Sequence, residues 1–381
     1  MGAFNDVTEK TLRDLAEVRA DGDMVLSIYM NLDPSQFATP PARASEISSL
    51  LDEAHREIEH AERGHDELQA LRAALEHARE MLETDGSLPK GARALALFVC
   101  EPLELARAVR LPQPVGSTVV ISNAPFIAPL AEAGPAGRVC VALVDERHAR
   151  ILRGSGERLR EASSFGDPVH GRHDQGGWSQ ARYQRSVNKD VEDHLRHVAR
   201  VLHDLLRIAP YDLLLIACTE PLWPRVTAKL HADVRARLRE ERLSLDVGDA
   251  SIADVEAAAG TTLVAERKAH EDALLAELRE RHAHDGAAGG LQPVLEALVE
   301  RRVQTLLYDA GLHVDGVLCA NCGWMGTDGD SCPVDGEALQ RSEDIVEEAV
   351  QSAVGQSAEV LALADRPELG PYGKIAALLR F

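Results

Sequence analysis

Apolar residues recur with two periods, one typical of strands and one of helices, along the first third of the chain. β-forming residues run from Met24 to Leu32 and stop at the turn signal Asp33-Pro34. Leucine, isoleucine and alanine then recur at helical spacing in two runs that Gly64 separates. The pattern predicts, in chain order, a strand, the two helices of a hairpin and two strands, at residues 24–32, 42–62, 68–82, 94–100 and 118–122.

Strand-like and helical patterns continue to alternate through the rest of the chain. A segment rich in Gly, Ala and Pro at residues 132–137 marks one domain boundary, and a second falls near Gly260. The predicted strands lie at residues 139–144, 149–152, 213–218, 303–308 and 360–364, and the predicted helices at residues 179–206, 225–238, 260–282, 291–302 and 345–350. We therefore predict a mixed α/β (α+β) fold with three domains, at residues 1–133, 138–258 and 260–381.

The net charge of −21 limits where the chain can contact nucleic acid, because most of its surface repels phosphate. Local contact remains feasible at residues 172–189, where four cations, Arg172, Arg182, Arg185 and Lys189, face one acid, Asp174. No apolar run approaches the length of a membrane span, and the first residues lack the pattern of a secretory signal. We therefore expect a cytoplasmic protein without a membrane partner.

Residues 175–185 read Gln-Gly-Gly-Trp-Ser-Gln-Ala-Arg-Tyr-Gln-Arg and join a glycine pair to a basic helix. Gly176 and Gly177 can adopt backbone angles that other residues avoid, so a loop here can present bare N–H groups. Arg182, Arg185 and Lys189 follow at spacings of three and four and share roughly one helical face. This arrangement suits insertion into a phosphate-lined cavity. The alternative is a Gly-Gly turn that caps an amphipathic helix.

This segment resembles the loop of the archaeo-eukaryotic class I release factors, in which Gly-Gly-Gln opens a long helix and an Arg-aromatic-x-Arg run follows. Here the register reads Gly176-Gly177-Trp178-Ser179 and then Arg182-Tyr183-Gln184-Arg185. Residues 372–381 are similar to the Gly-rich ending of the same family. The resemblance covers essentially the whole chain and indicates a bacterial member of the superfamily. Trp178 occupies the position of the family's glutamine, and the nearest glutamine is Gln180.

The resemblance implies a three-domain release-factor-like architecture, whose C-terminal domain is similar to the kink-turn-binding ribosomal proteins. It implies hydrolysis of the peptidyl-tRNA ester at the peptidyl transferase region of the large ribosomal subunit, in ribosome rescue or quality control, and allows for a GTPase that delivers the protein. Gly176, Gly177 and Gln180 would then be catalytic. Trp178 would stack on a base, and Arg182, Arg185 and Lys189 would contact RNA.

The family's two codon-reading motifs, Asn-Ile-Lys-Ser and Tyr-x-Cys-x-x-x-Phe, have no counterpart in this chain, and the tip of the predicted hairpin at residues 62–67 is net acidic. We therefore expect no dependence on the stop codon. The loss of the family's glutamine leaves an alternative open, a hibernation or stress factor that binds the ribosomal A site without chemistry. A free RNA-binding protein is a third, weaker alternative.

Three of the six cysteines form a pattern typical of a zinc ribbon, an insert at residues 317–337. The spacing Cys319-x-x-Cys322 and Cys332-x-x-Asp335, each followed by glycine, lets four ligands converge tetrahedrally. Asp335 replaces a fourth cysteine, so we expect a structural zinc site of reduced affinity. The alternative is a ribbon that has lost its metal. The other cysteines, Cys100, Cys140 and Cys218, are expected to be buried thiols.

His194 and His197 lie three residues apart on the predicted basic helix. The spacing would suit a metal pair, but no nearby helix offers the glutamate of a zincin motif. We therefore interpret both as part of a solvated helix face.

Overall fold

The computed structural model describes residues 5–20, 22–33, 35–60, 63–84, 92–111, 113–133, 138–155, 158–167 and 180–381. The chain forms two compact units. We call Met1–Pro135 together with His270–Phe381 the terminal unit, and Ala136–Ala269 the middle unit. Within the described residues, each helix is too short or too polar to cross a membrane.

The N-terminal part of the terminal unit is a five-stranded sheet with a helical hairpin. Its elements are β1 (Asn5–Asp6), α1 (Glu9–Ala16), β2 (Val25–Asn31), α2 (Pro40–His60), α3 (His65–Thr84), β3 (Ala94–Cys100), β4 (Leu105–Leu111), β5 (Thr118–Ser122) and α4 (Ala128–Ala133). The sheet order is β1-β4-β3-β2-β5. Strand β2 is buried on both faces: Leu26, Ile28 and Met30 pack with the hairpin, whereas Tyr29 faces a second core.

The middle unit is a four-stranded sheet with a long helix on one face. Its elements are β6 (Arg138–Val144), β7 (His148–Ser155), β8 (Arg158–Gly166), α5 (Gln180–Ile208), β9 (Leu213–Ala217), α6 (Trp223–Thr227), α7 (Ala232–Arg235) and α8 (Ile252–His282), of which α8 continues into the terminal unit. The sheet order is β8-β7-β6-β9, with β6 parallel to β9. Leu195, Val198 and Leu202 of α5 pack in the same core as Cys140 and Leu214 of the sheet.

The C-terminal part of the terminal unit carries a four-stranded and a three-stranded sheet. Its elements are β10 (Ala287–Gly289), α9 (Leu291–Val299), β11 (Val303–Asp309), β12 (Gly316–Leu318), β13 (Met325–Gly326), β14 (Gln340–Ser342), α10 (Ile345–Gly355), β15 (Glu359–Leu363) and β16 (Ile375–Leu379). The larger sheet has the order β10-β16-β11-β15, and the smaller has the order β13-β12-β14.

A buried carboxylate joins the two parts of the terminal unit. Glu347 of α10 accepts hydrogen bonds from the backbone N–H of Ile127 (2.7 Å) and of Ala128 (2.9 Å), at the start of α4. Gln351, one turn further, donates to the carbonyl of Pro125 at 2.9 Å. Burial raises the pKa of Glu347 to about 7, although the hydrogen bonds that its carboxylate accepts from Ile127, Gln351 and Ala128 act in the opposite direction.

The mixed α/β class is confirmed, and the predicted strands at residues 94–100 and 118–122 are observed with the same bounds. The predicted helix at residues 225–238 is wrong, because two short helices, α6 and α7, occupy this region. The first of them ends at Thr227, and the second begins after His231, whose backbone is extended and whose side chain accepts from the N–H of Asp233. Strand β4, strand β8 and helix α1 were not predicted.

Candidate functional site

Helix α5 begins directly after the segment that carries the glycine pair. Three residues predicted to be functional, Gly176, Gly177 and Trp178, lie outside the described residues. Gln180 and Arg182 lie on the described backbone of α5, but their side chains are outside the description. The 29 residues of α5 confirm the predicted long helix.

The outer face of α5 is polar and carries several cations. Arg185 and Lys189 are exposed, as are Arg196 and Arg200 further along the same helix. Arg196 forms an ion pair with Asp193. Within the part of the chain that the structure describes, Lys189 and Arg200 have no carboxylate partner. Their charges are therefore available to an anionic ligand.

Glu192 neutralises two cations of the neighbouring helix and its flank. It lies 2.6 Å from Lys229 Nζ and 3.2 Å from Arg225 Nε. The hydrogen bond from Lys229 makes the largest contribution to lowering the pKa of Glu192, and Arg225 adds to it. This cluster ties α5 to α6 and leaves Lys189 and Arg200 as the better candidates for binding an anion.

A carboxylate holds the end of β8 against α5. Asp167, the last described residue before residue 180, lies 2.7 Å from His194 Nδ1 and 2.9 Å from His197 Nδ1. Phe165 packs on the ring of His197 with a centroid distance of 4.3 Å. Burial acts to raise the pKa of Asp167, but the hydrogen bonds from His194 and His197 lower it below its usual value.

The prediction that both histidines belong to a solvated helix face is wrong for His194. Its side chain is 0% exposed, and its Nε2 has no hydrogen-bond partner within the described residues. The helical period already indicated this burial, because His194 follows Val191 by three residues and precedes Val198 by four, and both valines are in the core. Asp167 carried no comparable signal, because its partners lie 27 and 30 residues away in sequence.

The predicted metal ligands Cys319, Cys322, Cys332 and Asp335 come together. Their ligand atoms all lie within 4.8 Å of one another. Sγ of Cys322 lies 3.4 Å from Sγ of Cys332, and Sγ of Cys319 lies 3.4 Å from an oxygen of Asp335. Zinc–sulfur bonds of about 2.3 Å place tetrahedral sulfur ligands roughly 3.7 Å apart, so the cluster has the size that zinc requires.

The two halves of the cluster have the same backbone geometry. The N–H of Gly323 donates to the carbonyl of Cys319, and the N–H of Gly336 donates to the carbonyl of Cys332, both at 2.9 Å. Both glycines have positive φ, +74° and +78°, which a side chain would strain. In the second half, the N–H of Glu337 donates to the carboxylate of Asp335. Asp335 thus lies where the repeated geometry places a fourth ligand.

The neighbours of Cys322 keep its thiol protonated. A backbone hydrogen bond from Trp324 lowers the pKa of Cys322, but burial and hydrogen bonds with Cys332, Asp335 and Cys319 raise it to about 12. The pKa of Asp335 is lowered, first by the hydrogen bond from Asn321. A thiol that stays protonated beside a carboxylate and two further thiols gives up its proton when a divalent cation binds, so the donor set fits a metal.

The remaining cysteines are buried, as predicted. Burial raises the pKa of Cys140 to about 12 and that of Cys218 to about 11. Cys100 is also buried, and burial raises the pKa of its thiol. These three thiols are therefore poor nucleophiles and serve as small core residues.

A family model matches the middle of the chain. Residues 125–263 match the family described as "Bacterial archaeo-eukaryotic release factor family 10". This range includes the glycine pair and all of α5, and the match confirms the release-factor resemblance there. No curated protein matches the chain.

Three solved structures illustrate what the chain is similar to. They are an archaeal translation termination factor, aRF1 (17% identity, 99% of this chain and 99% of that chain, TM-score 0.27); Pelota of Archaeoglobus fulgidus (16%, 73% and 75%, 0.33); and Dom34 of S. cerevisiae, a translation termination-like factor (11%, 76% and 79%, 0.40). TM-scores below 0.5 are too low for these likenesses to support a functional conclusion.

Proposed function

We propose that the chain is a ribosome-associated, release-factor-like protein that hydrolyses the peptidyl-tRNA ester without reading a stop codon. The observation that carries this proposal is the family match over residues 125–263, which contain the glycine pair and the cationic face of α5. On this proposal the protein acts in the cytoplasm. It has three functional domains, at residues 1–133, 138–258 and 260–381. The large ribosomal subunit and peptidyl-tRNA are its partners, and a GTPase could deliver it.

The distribution of charge favours the middle unit as the part that contacts RNA. Residues 136–269 contain 21 Lys and Arg against 20 Asp and Glu, whereas the rest of the chain contains 20 against 42. The rest of the chain therefore repels phosphate, whereas the nearly neutral middle unit does not. Lys189 and Arg200, which have no carboxylate partner within the described residues, lie on the exposed face of α5.

The chemistry assigned to each residue follows from what ester hydrolysis needs. The reaction requires a positioned water and hydrogen-bond donors for the developing oxyanion. Gly176 and Gly177 would bring bare backbone N–H groups close to the tRNA terminus, and Gln180 would orient the water. Trp178 would stack on a base, and Arg182 and Arg185, with Lys189, would hold RNA phosphates.

The tip of the helical hairpin supports independence from the codon. Arg63 is a cation at this tip, and it forms an ion pair of 2.5 Å with Glu67. The two helices are held together below the tip by Arg72, which donates twice to Glu59 at 2.6 Å. A tip whose cation is neutralised is poorly suited to bind messenger RNA.

The direct test is release of a labelled peptide from stalled ribosomes and from free large subunits that carry peptidyl-tRNA. We expect release at similar rates with any stop codon or a sense codon in the A site. Gln180→Ala should lower the rate by about 100-fold or more, the size expected when a group that orients the reacting water is lost. Gln184→Ala, one turn further along α5, is the matched control. Full activity of Gln180→Ala would remove Gln180 from the mechanism.

The second candidate is a hibernation factor that occupies the A site without chemistry. Trp178 at the position of the family's glutamine favours it, because tryptophan has no acceptor with which to orient water. This candidate predicts that the protein accumulates on idle, tRNA-free ribosomes of starved cells and shows no hydrolysis in the release assay. Hydrolysis that depends on Gln180 would exclude it.

For the cysteine cluster we propose a structural zinc ion held by Cys319, Cys322, Cys332 and Asp335. A site with three thiolates and one carboxylate from the protein leaves no open position for substrate, so the ion would stabilise the fold around β12 and β13. Elemental analysis of protein purified without chelator tests this: one equivalent of zinc supports it, and less than about a tenth of an equivalent, with no change of thermal stability in chelator, contradicts it.

A further inference from the structure

We propose that His203, His231 and Asp233 form a second metal site, in the middle unit, for a divalent transition-metal ion such as Zn²⁺. His203 lies near the C-terminal end of α5, His231 precedes α7, and Asp233 lies in the first turn of α7. One ligand atom from each of the three residues lies within 4.8 Å of the other two. This site is separate from the cysteine cluster, which belongs to the terminal unit.

The hydrophobic core beneath the site fixes the positions of the three backbones. Each ligand is next to a buried residue of the same core: Leu202 precedes His203, Leu230 precedes His231, and Val234 follows Asp233. His203 is half-buried, whereas His231 and Asp233 are exposed. The site is therefore anchored from below and open to solvent above, so an ion can enter without unfolding.

Contacts within the cluster show why its members approach one another. Nδ1 of His231 lies 3.3 Å from a carboxylate oxygen of Asp233 and accepts a weak hydrogen bond of 3.3 Å from the N–H of Asp233. The centroids of the imidazole rings of His203 and His231 lie 4.3 Å apart, with an angle of 30° between the ring planes. Capping of α7 accounts for the approach of His231 to Asp233. It does not account for the position of His203, which is 28 residues earlier and on another helix.

The donor set selects the class of ion. Two imidazole nitrogens and one carboxylate oxygen suit zinc, cobalt, nickel or copper, whereas calcium and magnesium prefer oxygen ligands alone. Ligand bonds of about 2.0–2.2 Å place neighbouring donor atoms roughly 3–3.5 Å apart. Rotation of the two exposed side chains would have to bring the donor atoms to this spacing when an ion binds. Three protein ligands leave at least one position for water or for an anion from outside, so the affinity should be moderate.

The experiment is an optical titration of the full-length protein with Co²⁺, followed by a titration with Zn²⁺ in a calorimeter. Cobalt bound by thiolates absorbs strongly through sulfur-to-metal charge transfer, whereas cobalt bound by imidazole and carboxylate does not. We expect one equivalent of cobalt that binds without this absorption. His203→Ala and His231→Ala should each weaken that equivalent at least 10-fold, as should Asp233→Asn. His148→Ala is the matched control, because His148 is exposed in the same unit and pairs with Asp145, and among the described residues it belongs to no group of three possible metal ligands.

The measured quantity is the difference in bound cobalt between the parent and each variant. Cobalt in the cysteine cluster is the same in both proteins and therefore cancels. His203→Ala carries the decision if His231→Ala disturbs α7, because His203 caps no helix. Loss of the sulfur-free equivalent in His203→Ala, but not in His148→Ala, supports the site. Absence of that equivalent in the parent, or its persistence in His203→Ala, overturns the proposal.

Discussion

The two compact units of this chain differ sharply in charge. The middle unit is nearly neutral, with 21 basic and 20 acidic side chains, whereas the terminal unit has 20 basic and 42 acidic side chains. A uniformly acidic protein would be repelled by RNA from every side. The separation of charge lets the middle unit approach phosphate while the terminal unit is repelled, which is the distribution that the proposed contact with RNA requires.

The two units also use their buried polar groups differently. In the middle unit, Asp167 is stabilised in its charged form by His194 and His197, and its pKa is lowered. In the terminal unit, Glu347 is stabilised in its neutral form by burial, and its pKa is raised to about 7. The contributions of Asp167 and Glu347 to stability should therefore change with pH in opposite directions. Each of the substitutions below lies in one unit and should leave the structure of the other unit unchanged.

Loss of a ligand from the cysteine cluster should have the largest effect. Cys322→Ser should weaken zinc binding on the order of 1,000-fold, because one of four ligands is replaced by a hydroxyl that binds zinc poorly. Asp335→Cys should tighten binding, since a thiolate replaces a carboxylate. Competition with a zinc indicator measures both affinities. Hydrogen exchange resolved by segment should show faster exchange around β12 and β13 in Cys322→Ser and unchanged exchange in α5. Equal zinc affinity of Cys322→Ser and the parent would contradict the proposed ligand set.

Ionisation of Glu347 should give the next largest effect. Its pKa in the folded state, about 7, exceeds its usual value of 4.5, so its contribution to stability is complete below pH 4.5 and is lost as the pH rises through 7. The shift corresponds to roughly 3 kcal/mol in the free energy of unfolding. The free energy of unfolding, measured by chemical denaturation at several pH values between 4.5 and 8, should therefore fall with pH more steeply for the parent than for Glu347→Gln. Parallel curves would exclude ionisation of Glu347, and Glu343→Gln, at an exposed position, serves as control.

The sequence revealed the features that depend on local periodicity or on fixed spacing. The long helix α5 follows from its apolar stripe, and the cysteine cluster follows from the spacing of Cys319, Cys322, Cys332 and Asp335. The middle unit's β8 was missed because it is an edge strand with mostly polar, exposed residues, so it lacks the apolar alternation of a half-buried strand. Glu347 carried no signal, because its partners Ile127 and Ala128 lie about 220 residues away and only the tertiary fold brings them together.

Charge reversal on α5 tests whether the cations of the middle unit are responsible for the proposed binding to RNA. Arg185→Glu with Lys189→Glu should lower affinity for ribosomes by about 100-fold, since two cations near phosphate become anions, and should reduce the dependence of binding on salt. The matched control is Lys10→Glu with Arg13→Glu, two exposed positions on α1 of the terminal unit that change the net charge by the same amount. Sedimentation with purified large subunits at two salt concentrations measures both pairs. Equal losses for the two pairs would mean that total charge, and not its location, governs binding.

Replacement of Asp167 should have the smallest effect and should be confined to the middle unit. Asp167→Asn keeps the shape of the side chain but loses the charge that His194 and His197 contact, so the free energy of unfolding of this unit should fall by about 1–2 kcal/mol. Because the pKa of Asp167 is lowered in the folded state, its contribution is present above its usual value of 3.8 and is lost as the pH falls through the folded value. The parent should therefore lose its advantage over Asp167→Asn in acid. Asp193→Asn, which removes an exposed carboxylate from the outer face of α5, is the control. Faster hydrogen exchange in the first half of α5, with no change around α10, would place the effect at the junction of β8 and α5. An equal change in both units would show that Asp167 acts on the whole fold.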